Sequence, residues 1–256
     1  MNDPLVQRAV VTGDDFAGLQ DSARAIAQWP IGSHIWGHYA EMTERGAALC
    51  RTENVSACAP VVDELVRGPL QAIASERLGE AAVAFKDKIN YKQPGGAGFR
   101  PHQDALAYPG VGRVVSLLLA LDDCTLDSGC LWLAGGVDEV LPVDDRGVVR
   151  DDVCAALEWS PAELAAGDAV CIDGLAPHYS DDNNTNAERR VLVASYAAES
   201  SGYTRSHYYE RRAEVMSEAT DRDGRFRIST LADFAGTEVA PTDAARDVCT
   251  HSTVAE

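Results

Sequence analysis

The chain begins with helical spacing and then changes period. Between Asp14 and Gln28, the apolar residues Phe16, Leu19, Ala23, Ile26 and Ala27 recur every three or four positions, and Asp14 is a fair N-cap. Residues 33–50 read as a second, less regular helix. Residues 59–78 read as a third, on Val62, Leu65, Val66, Leu70, Ile73 and Leu78, with Gly79 as a natural stop. From Ala82 to Tyr91 the period drops to two. Phe85, Asp87, Ile89 and Tyr91 face one way, and Lys86, Lys88, Asn90 and Lys92 face the other. A loop follows at Pro94-Gly95-Gly96-Ala97-Gly98. Short apolar strands are predicted at Val114–Leu121, Gly129–Leu133, Val170–Ile172 after the Ala166-Gly167-Asp168 turn, and Val191–Tyr196. Tyr203 to Met216 is a further amphipathic segment, and a strand is expected near Phe226–Thr230. Many short strands at regular turn spacing predict a mainly β fold with flanking helices, a sandwich or jelly-roll barrel.

Composition narrows the picture. With 256 residues and 46% hydrophobic content, the chain suits one domain with a sizeable core. The expected division is a helical cover over 1–80, a strand core over 81–200, a helix and strand extension over 201–235, and a loose polar tail over 236–256. No apolar run approaches membrane-spanning length. Met1-Asn2-Asp3-Pro4 lacks the basic start and apolar centre of a secretory signal. Seven cysteines, an odd number without a Cys-x-x-Cys pair, argue against a disulfide scaffold and give no support to a zinc ribbon, so a reducing, cytoplasmic location is expected. The 40 acidic against 22 basic residues give a net charge of −18, which argues against nucleic acid and anionic membranes as partners. A small-molecule substrate and a monomer or homodimer are expected.

The candidate chemistry lies in Pro101-His102-Gln103-Asp104, with His178 and Arg189 downstream. On an extended strand, positions i and i+2 project to one side, so His102 and Asp104 can reach one metal. His178 would join them from a second strand end. Two imidazoles and one carboxylate on one face of a ferrous ion leave the opposite face for a co-substrate and O2. Arg189, on a following strand, can offer its fork to a carboxylate. Other arrangements are weaker. His34 and His38 are i and i+4 on the predicted second helix, but Ile35 stands where a zinc protease needs Glu. His207 and His251 have no chemical partner nearby in sequence. There is no Gly-x-Ser-x-Gly elbow, and the loop at 94–98 lacks the ending of a phosphate loop.

These segments together resemble the phytanoyl-CoA dioxygenase family of Fe(II)/2-oxoglutarate oxygenases. The likeness runs through Phe85 to Gly96, Pro101-His102-Gln103-Asp104-Ala105, Leu121-Asp122-Asp123, Ser128-Gly129-Cys130-Leu131, Gly167-Asp168-Ala169-Val170, and Pro177-His178-Tyr179-Ser180 with Asn183 and Glu188-Arg189-Arg190. It covers roughly residues 80–200. The resemblance implies a double-stranded β-helix, a cupin-like jelly roll with the metal inside one mouth. It implies that His102, Asp104 and His178 bind iron and that Arg189 holds the distal carboxylate of 2-oxoglutarate, while Arg190 is structural. Asn90, Ser116 and Ser180 match polar positions near the co-substrate. Lys88 matches a position that touches substrate in ectoine hydroxylase-like relatives; Lys86 shares its face, and Arg100 with these lysines would favour an anionic substrate. The resemblance also implies O2 as co-substrate and is compatible with ascorbate as a reductant.

A carboxylate at 104 implies hydroxylation, because related halogenases carry a small residue there. Desaturation and ring formation share the hydrogen-abstraction step. One departure is visible: Ala134-Gly135-Gly136-Val137 replaces the family's Pro-Gly-Ser-His, which alters loop shape near the site but no iron ligand. The expected activity is hydroxylation of an aliphatic C–H of a small polar molecule, such as a specialised metabolite or an aminated or phosphonate compound, with release of succinate and CO2. The alternatives are a desaturase or cyclase variant, and a jelly roll that binds a small molecule without turnover.

Overall fold

Strands β1 (Leu5–Gln7), β2 (Gly37–Thr43), β3 (Gly46–Glu53), β4 (Ala82–Lys92), β5 (Phe99–His102) and β6 (Val114–Ala120) form the first half of the β framework. Strands β7 (Leu131–Ala134), β8 (Trp159–Ala162), β9 (Ala169–Asp173), β10 (His178–Ser180), β11 (Arg189–Ala198) and β12 (Thr237–Val239) complete it. The helices are α1 (Gly13–Ile26), α2 (Pro60–Arg67), α3 (Pro69–Leu78), α4 (Asp151–Cys154) and α5 (Arg205–Asp223). This computed structural model describes residues 5–223, 228–229 and 231–246.

An eight-stranded antiparallel sheet runs β1-β9-β6-β11-β4-β3-β2-β12, and a four-stranded sheet runs β5-β10-β7-β8. Alternation assigns each strand's side chains to two faces. On the large sheet Leu117, Leu119, Leu192, Ala194, Tyr196, Ile89 and Tyr91 point outward and pack under α1, α2 and α3. Burying each such Leu or Ile is worth roughly 1.5–3 kcal/mol. Tyr196 also donates its hydroxyl to Val66 O at 2.7 Å, tying α2 to β11. The opposite face, with Val191, Val193, Val170 and Ile172, meets Leu133, Ala162 and Leu164 and forms the barrel interior. Asn90, Lys88 and Ser116 belong to that interior set by parity.

Three expectations change in the N-terminal part and tail. Residues 33–50 form no helix: β2 and β3 make a hairpin, with Thr43 paired to Gly46, whose φ is +108°. Its sequence, with Ala40, Ala47 and Ala48, tolerates a helix, but pairing with β4 on one side and β12 on the other decides for strand. His34 and His38 therefore share no helical face; His38 is buried, with its ring nitrogens 2.8 Å from Thr52 Oγ1 and 3.0 Å from Trp29 O. The helix expected over 59–78 is broken between α2 and α3, because Pro69 has no N–H to continue the ladder and Gly68 leaves helical geometry at φ −100°, ψ −108°. In the expected loose tail, Thr237–Val239 pairs with Met42–Ala40. Of the strand expected near Phe226–Thr230, residues 228 and 229 form a bend and the others lie outside the described residues. His251 also lies outside them.

Candidate active site

His102 ends β5 and His178 begins β10, and the two are cross-strand partners in the small sheet. Their rings lie 4.2 Å apart between centroids. Asp104 arrives differently from the expected strand alternation. Gln103 is extended, and Asp104 opens a 3-10 turn over Asp104–Ala107. Gln103 is fully buried and holds that turn: its amide donates to Glu139 O and Leu175 O, and its carbonyl accepts from Leu141 N. The ligand atoms of His102, Asp104 and His178 lie within 4.8 Å of one another.

Hydrogen bonds set these donors for a metal. His102 Nδ1 lies 2.7 Å from Arg100 O, and His178 Nδ1 lies 3.0 Å from Ala176 O. A carbonyl can only accept, so Nδ1 keeps the proton in each ring and Nε2 presents its lone pair to the cavity. Burial pushes His178 down to about 4, and His102 beside it adds to the shift, so the imidazole is a free base at neutral pH. Burial works to raise Asp104, but His178, His102, Lys86 and Lys88 outweigh it and hold the carboxyl well below the usual range. Two imidazoles and an ionised carboxylate fit a divalent iron with an open face.

The cavity extends from this triad in two directions. On one side Asn90, Phe99, Leu118, Leu131 and Ser180 lead to Arg189. Arg189 is buried and donates to Gly129 O at 2.7 Å and Ser128 O at 3.4 Å. Lys92 is its cross-strand partner and donates to Gly129 O at 3.2 Å, Ser180 Oγ at 3.0 Å and Asp181 O. Burial and then Arg189 push Lys92 down to about 7. Glu41 lines the same end and accepts from Ala97 N at 2.9 Å; burial raises it to about 7. The glycine loop lies directly over β10, since a Cβ on Gly98 would stand 1.8 Å from Ser180 O.

On the other side, Arg51, Lys86 and Lys88 line the cavity beside the triad. Arg51 donates to Asn90 Oδ1 at 3.0 Å and to Ile228 O at 2.5 Å, and Lys86 donates to Tyr108 OH at 2.8 Å. Lys88 has no hydrogen-bond or ion-pair partner among the described residues, and burial, Arg51 and Lys86 push it well below an ordinary lysine. Ser229, Leu231 and Asp233, from the segment before β12, close this end.

Two expected site residues, Ser116 and Arg100, sit elsewhere. Ser116 turns to the metal site: its hydroxyl donates to Asp104 Oδ2 at 2.8 Å. Arg100 does not line the cavity, because its guanidinium donates to Phe234 O at 2.6 Å. Arg190 makes a two-point ion pair with Asp122, the structural role expected of it. His207 sits near the start of α5 and accepts from Thr204 N at 3.2 Å. Arg51, Lys92, Glu41, Gln103 and Asp233 are missed by sequence reading. Lys92 carried a signal, as it continues the parity of Lys86, Lys88 and Asn90.

Fold and donor set define a non-haem iron, 2-oxoglutarate-dependent oxygenase on a jelly roll. The family model "Phytanoyl-CoA dioxygenase (PhyH)" matches residues 5–191. The chain belongs to the phytanoyl-CoA dioxygenase family. It is 32% identical to the methylphosphonate hydroxylase of Gimesia maris, over 85% of each chain. It is 32% identical to the 2-aminoethylphosphonate dioxygenase of an uncultured bacterium, over 80% of each. The structure of EctD from S. alaskensis, solved with 2-oxoglutarate and 5-hydroxyectoine, superposes with a TM-score of 0.66 at 20% identity, over 78% of this chain and 73% of that one. No helix among the described residues is long and apolar enough to cross a membrane.

Proposed function

We propose that the whole chain acts as one oxygenase domain that hydroxylates an aliphatic C–H of a small phosphonate. His102, Asp104 and His178 hold the iron. Arg189, with Lys92 beside it, receives the distal carboxylate of 2-oxoglutarate, while Asn90 and Ser180 border the co-substrate. When bound, iron and 2-oxoglutarate supply the oxidising chemistry, consuming O2, releasing succinate and CO2 and turning C–H into C–OH. The chain's own residues do the positioning. Ser116 fixes the Asp104 carboxylate by donating to Oδ2, so that its other oxygen is free to bind metal. Leu118, Leu131, Ile172 and Val193 keep the reacting space apolar.

The observation that carries the substrate class is the cation set. Arg51, Lys86 and Lys88 face one cavity, and the Lys88 amine, whose positive charge is disfavoured by burial and by Arg51, has no partner among the described residues. Basic groups gathered in one cavity favour an anion, and a phosphonate offers three acceptor oxygens to them. The names of the two bacterial relatives support the same class. Six free thiols among the described residues support a reducing, cytoplasmic site of action, as monomer or homodimer.

The test is anaerobic loading with Fe(II) and 2-oxoglutarate, then addition of methylphosphonate or 2-aminoethylphosphonate and air. The expected result is a weak visible charge-transfer band from the co-substrate chelate, lost in Arg189→Ala, and phosphonate-dependent succinate release. A folded, iron-loaded protein with no such band would overturn the co-substrate assignment. A band without phosphonate-stimulated turnover would overturn the substrate class.

A further inference from the structure

Asp233 is the one acidic residue at the triad that the iron and co-substrate assignments leave unused. It comes from the segment before β12, which docks across the barrel mouth through named bonds. Arg51 donates to Ile228 O, Ala232 N to Arg146 O, Arg100 N to Asp233 O, and Ala235 N to Gly98 O. These backbone anchors aim the Asp233 side chain into the cavity, where it is buried, with 3% side-chain exposure. Its Oδ2 lies 3.2 Å from His102 Nε2. Its Oδ1 is buried with no hydrogen-bond partner. No lysine or arginine among the described residues lies within ion-pair distance of it; His102 is its sole partner of that kind.

That arrangement cannot persist with the iron site filled. His102 Nδ1 is committed to Arg100 O, so Nε2 is the atom that a metal takes. Asp233 then keeps no donor among the described residues, and a buried carboxylate without one is strongly unfavourable. It also stands outside the group of three donors that cluster within 4.8 Å of one another. The metal brings positive charge near this carboxylate but no hydrogen to donate, so the donor that satisfies its buried Oδ1 is one the substrate can supply. The cavity is itself polarised: the cations Arg51, Lys86 and Lys88 lie on the large sheet, on β3 and β4, while Asp233 lies beside β5 at the edge of the small one.

We infer that Asp233 is a specificity-determining residue that binds the ammonium of a zwitterionic substrate, whose phosphonate rests on Lys88 and its neighbours. The substrate class is an aminoalkylphosphonate, preferred over an alkylphosphonate of the same size. This rests on the phosphonate reading above and adds the second charge to it.

The experiment measures binding calorimetrically, without O2, to enzyme loaded with Fe(II) and 2-oxoglutarate. The probes are 2-aminoethylphosphonate and propylphosphonate, which differ by one ammonium against one methyl group. Wild type should bind the amino compound about 10- to 100-fold more tightly, the range for a charged hydrogen bond. Asp233→Asn, which keeps the shape, should lose that preference while retaining propylphosphonate affinity and one iron per chain. Equal affinity of wild type for both probes would overturn the inference and leave the phosphonate reading standing. Loss of iron from Asp233→Asn would overturn it in favour of a ligand role. Binding of neither probe by wild type would remove the phosphonate reading and the inference together.

Discussion

At the Arg189 end of the cavity the cations lean on backbone. Arg189 donates to Ser128 O and Gly129 O, and Lys92 to Gly129 O and Asp181 O, so their positions are set before any ligand arrives. At the other end Lys88 has no partner among the described residues, and Asp233 has one buried oxygen with none. The difference separates two tasks. An anchored cation presents one geometry and selects one shape of carboxylate, at no ordering cost when it binds. An unanchored polar group is held ready for a ligand that completes it, which suits the end proposed for the substrate.

The largest expected effect falls on the triad that joins the two ends. His102→Ala or Asp104→Ala should leave no stoichiometric iron and no detectable turnover, and metal analysis of the purified variants checks this. Retained iron would dissolve the centre on which the comparison rests. Next, Arg189→Ala should raise the 2-oxoglutarate concentration needed for half-saturation by about 100-fold, the cost of removing one partner of a buried charge pair, with iron affinity little changed. A titration of the chelate band reads both.

Lys88→Met should act at the opposite end. It should weaken phosphonate binding by about 30-fold, as loss of a charged hydrogen bond does, and leave 2-oxoglutarate affinity as in wild type. Equal damage to both ligands would mean that the ends are one site. Ser116→Ala removes the donor to Asp104 and should weaken iron by about tenfold, the lower range for a residue that orients a metal ligand. Rescue by Ser116→Thr, which restores a hydroxyl, separates orientation from packing.

The smallest effect is on stability at the anchored end. Glu41 is raised from 4.5 to about 7, so the folded protein holds a proton that the unfolded chain releases across that window. Its contribution is full below about pH 4.5 and is lost as the pH rises through 7. Glu41→Gln keeps an acceptor for Ala97 N and cannot ionise. It should match wild type near pH 4.5 and exceed it by about 1–3 kcal/mol at pH 8, measured by denaturant unfolding at both values.

The chain itself was enough for the strand core and the triad. Period-two alternation in β4 already divided Lys86, Lys88, Asn90 and Lys92 from Ile89 and Tyr91, and the division holds because parity along a strand is a local property. His102, Asp104 and His178 were legible through residue type and spacing, although Asp104 reaches its place through a 3-10 turn and the buried amide of Gln103. Residues 33–50 were not legible. Local propensity there is weak, and two neighbouring strands supply the hydrogen bonds that decide between helix and hairpin. The role of Ser116 was likewise invisible, because its hydroxyl acts across strands on Asp104. Asp233 is the extreme case. No pattern in Leu231-Ala232-Asp233-Phe234 marks it, and only the docking of that segment across the barrel mouth brings its carboxylate, 131 positions beyond His102 (233 minus 102), to 3.2 Å from the imidazole. Sequence determined what short-range periodicity and ligand chemistry can encode; tertiary structure decided which distant charges meet, since that depends on how whole segments pack.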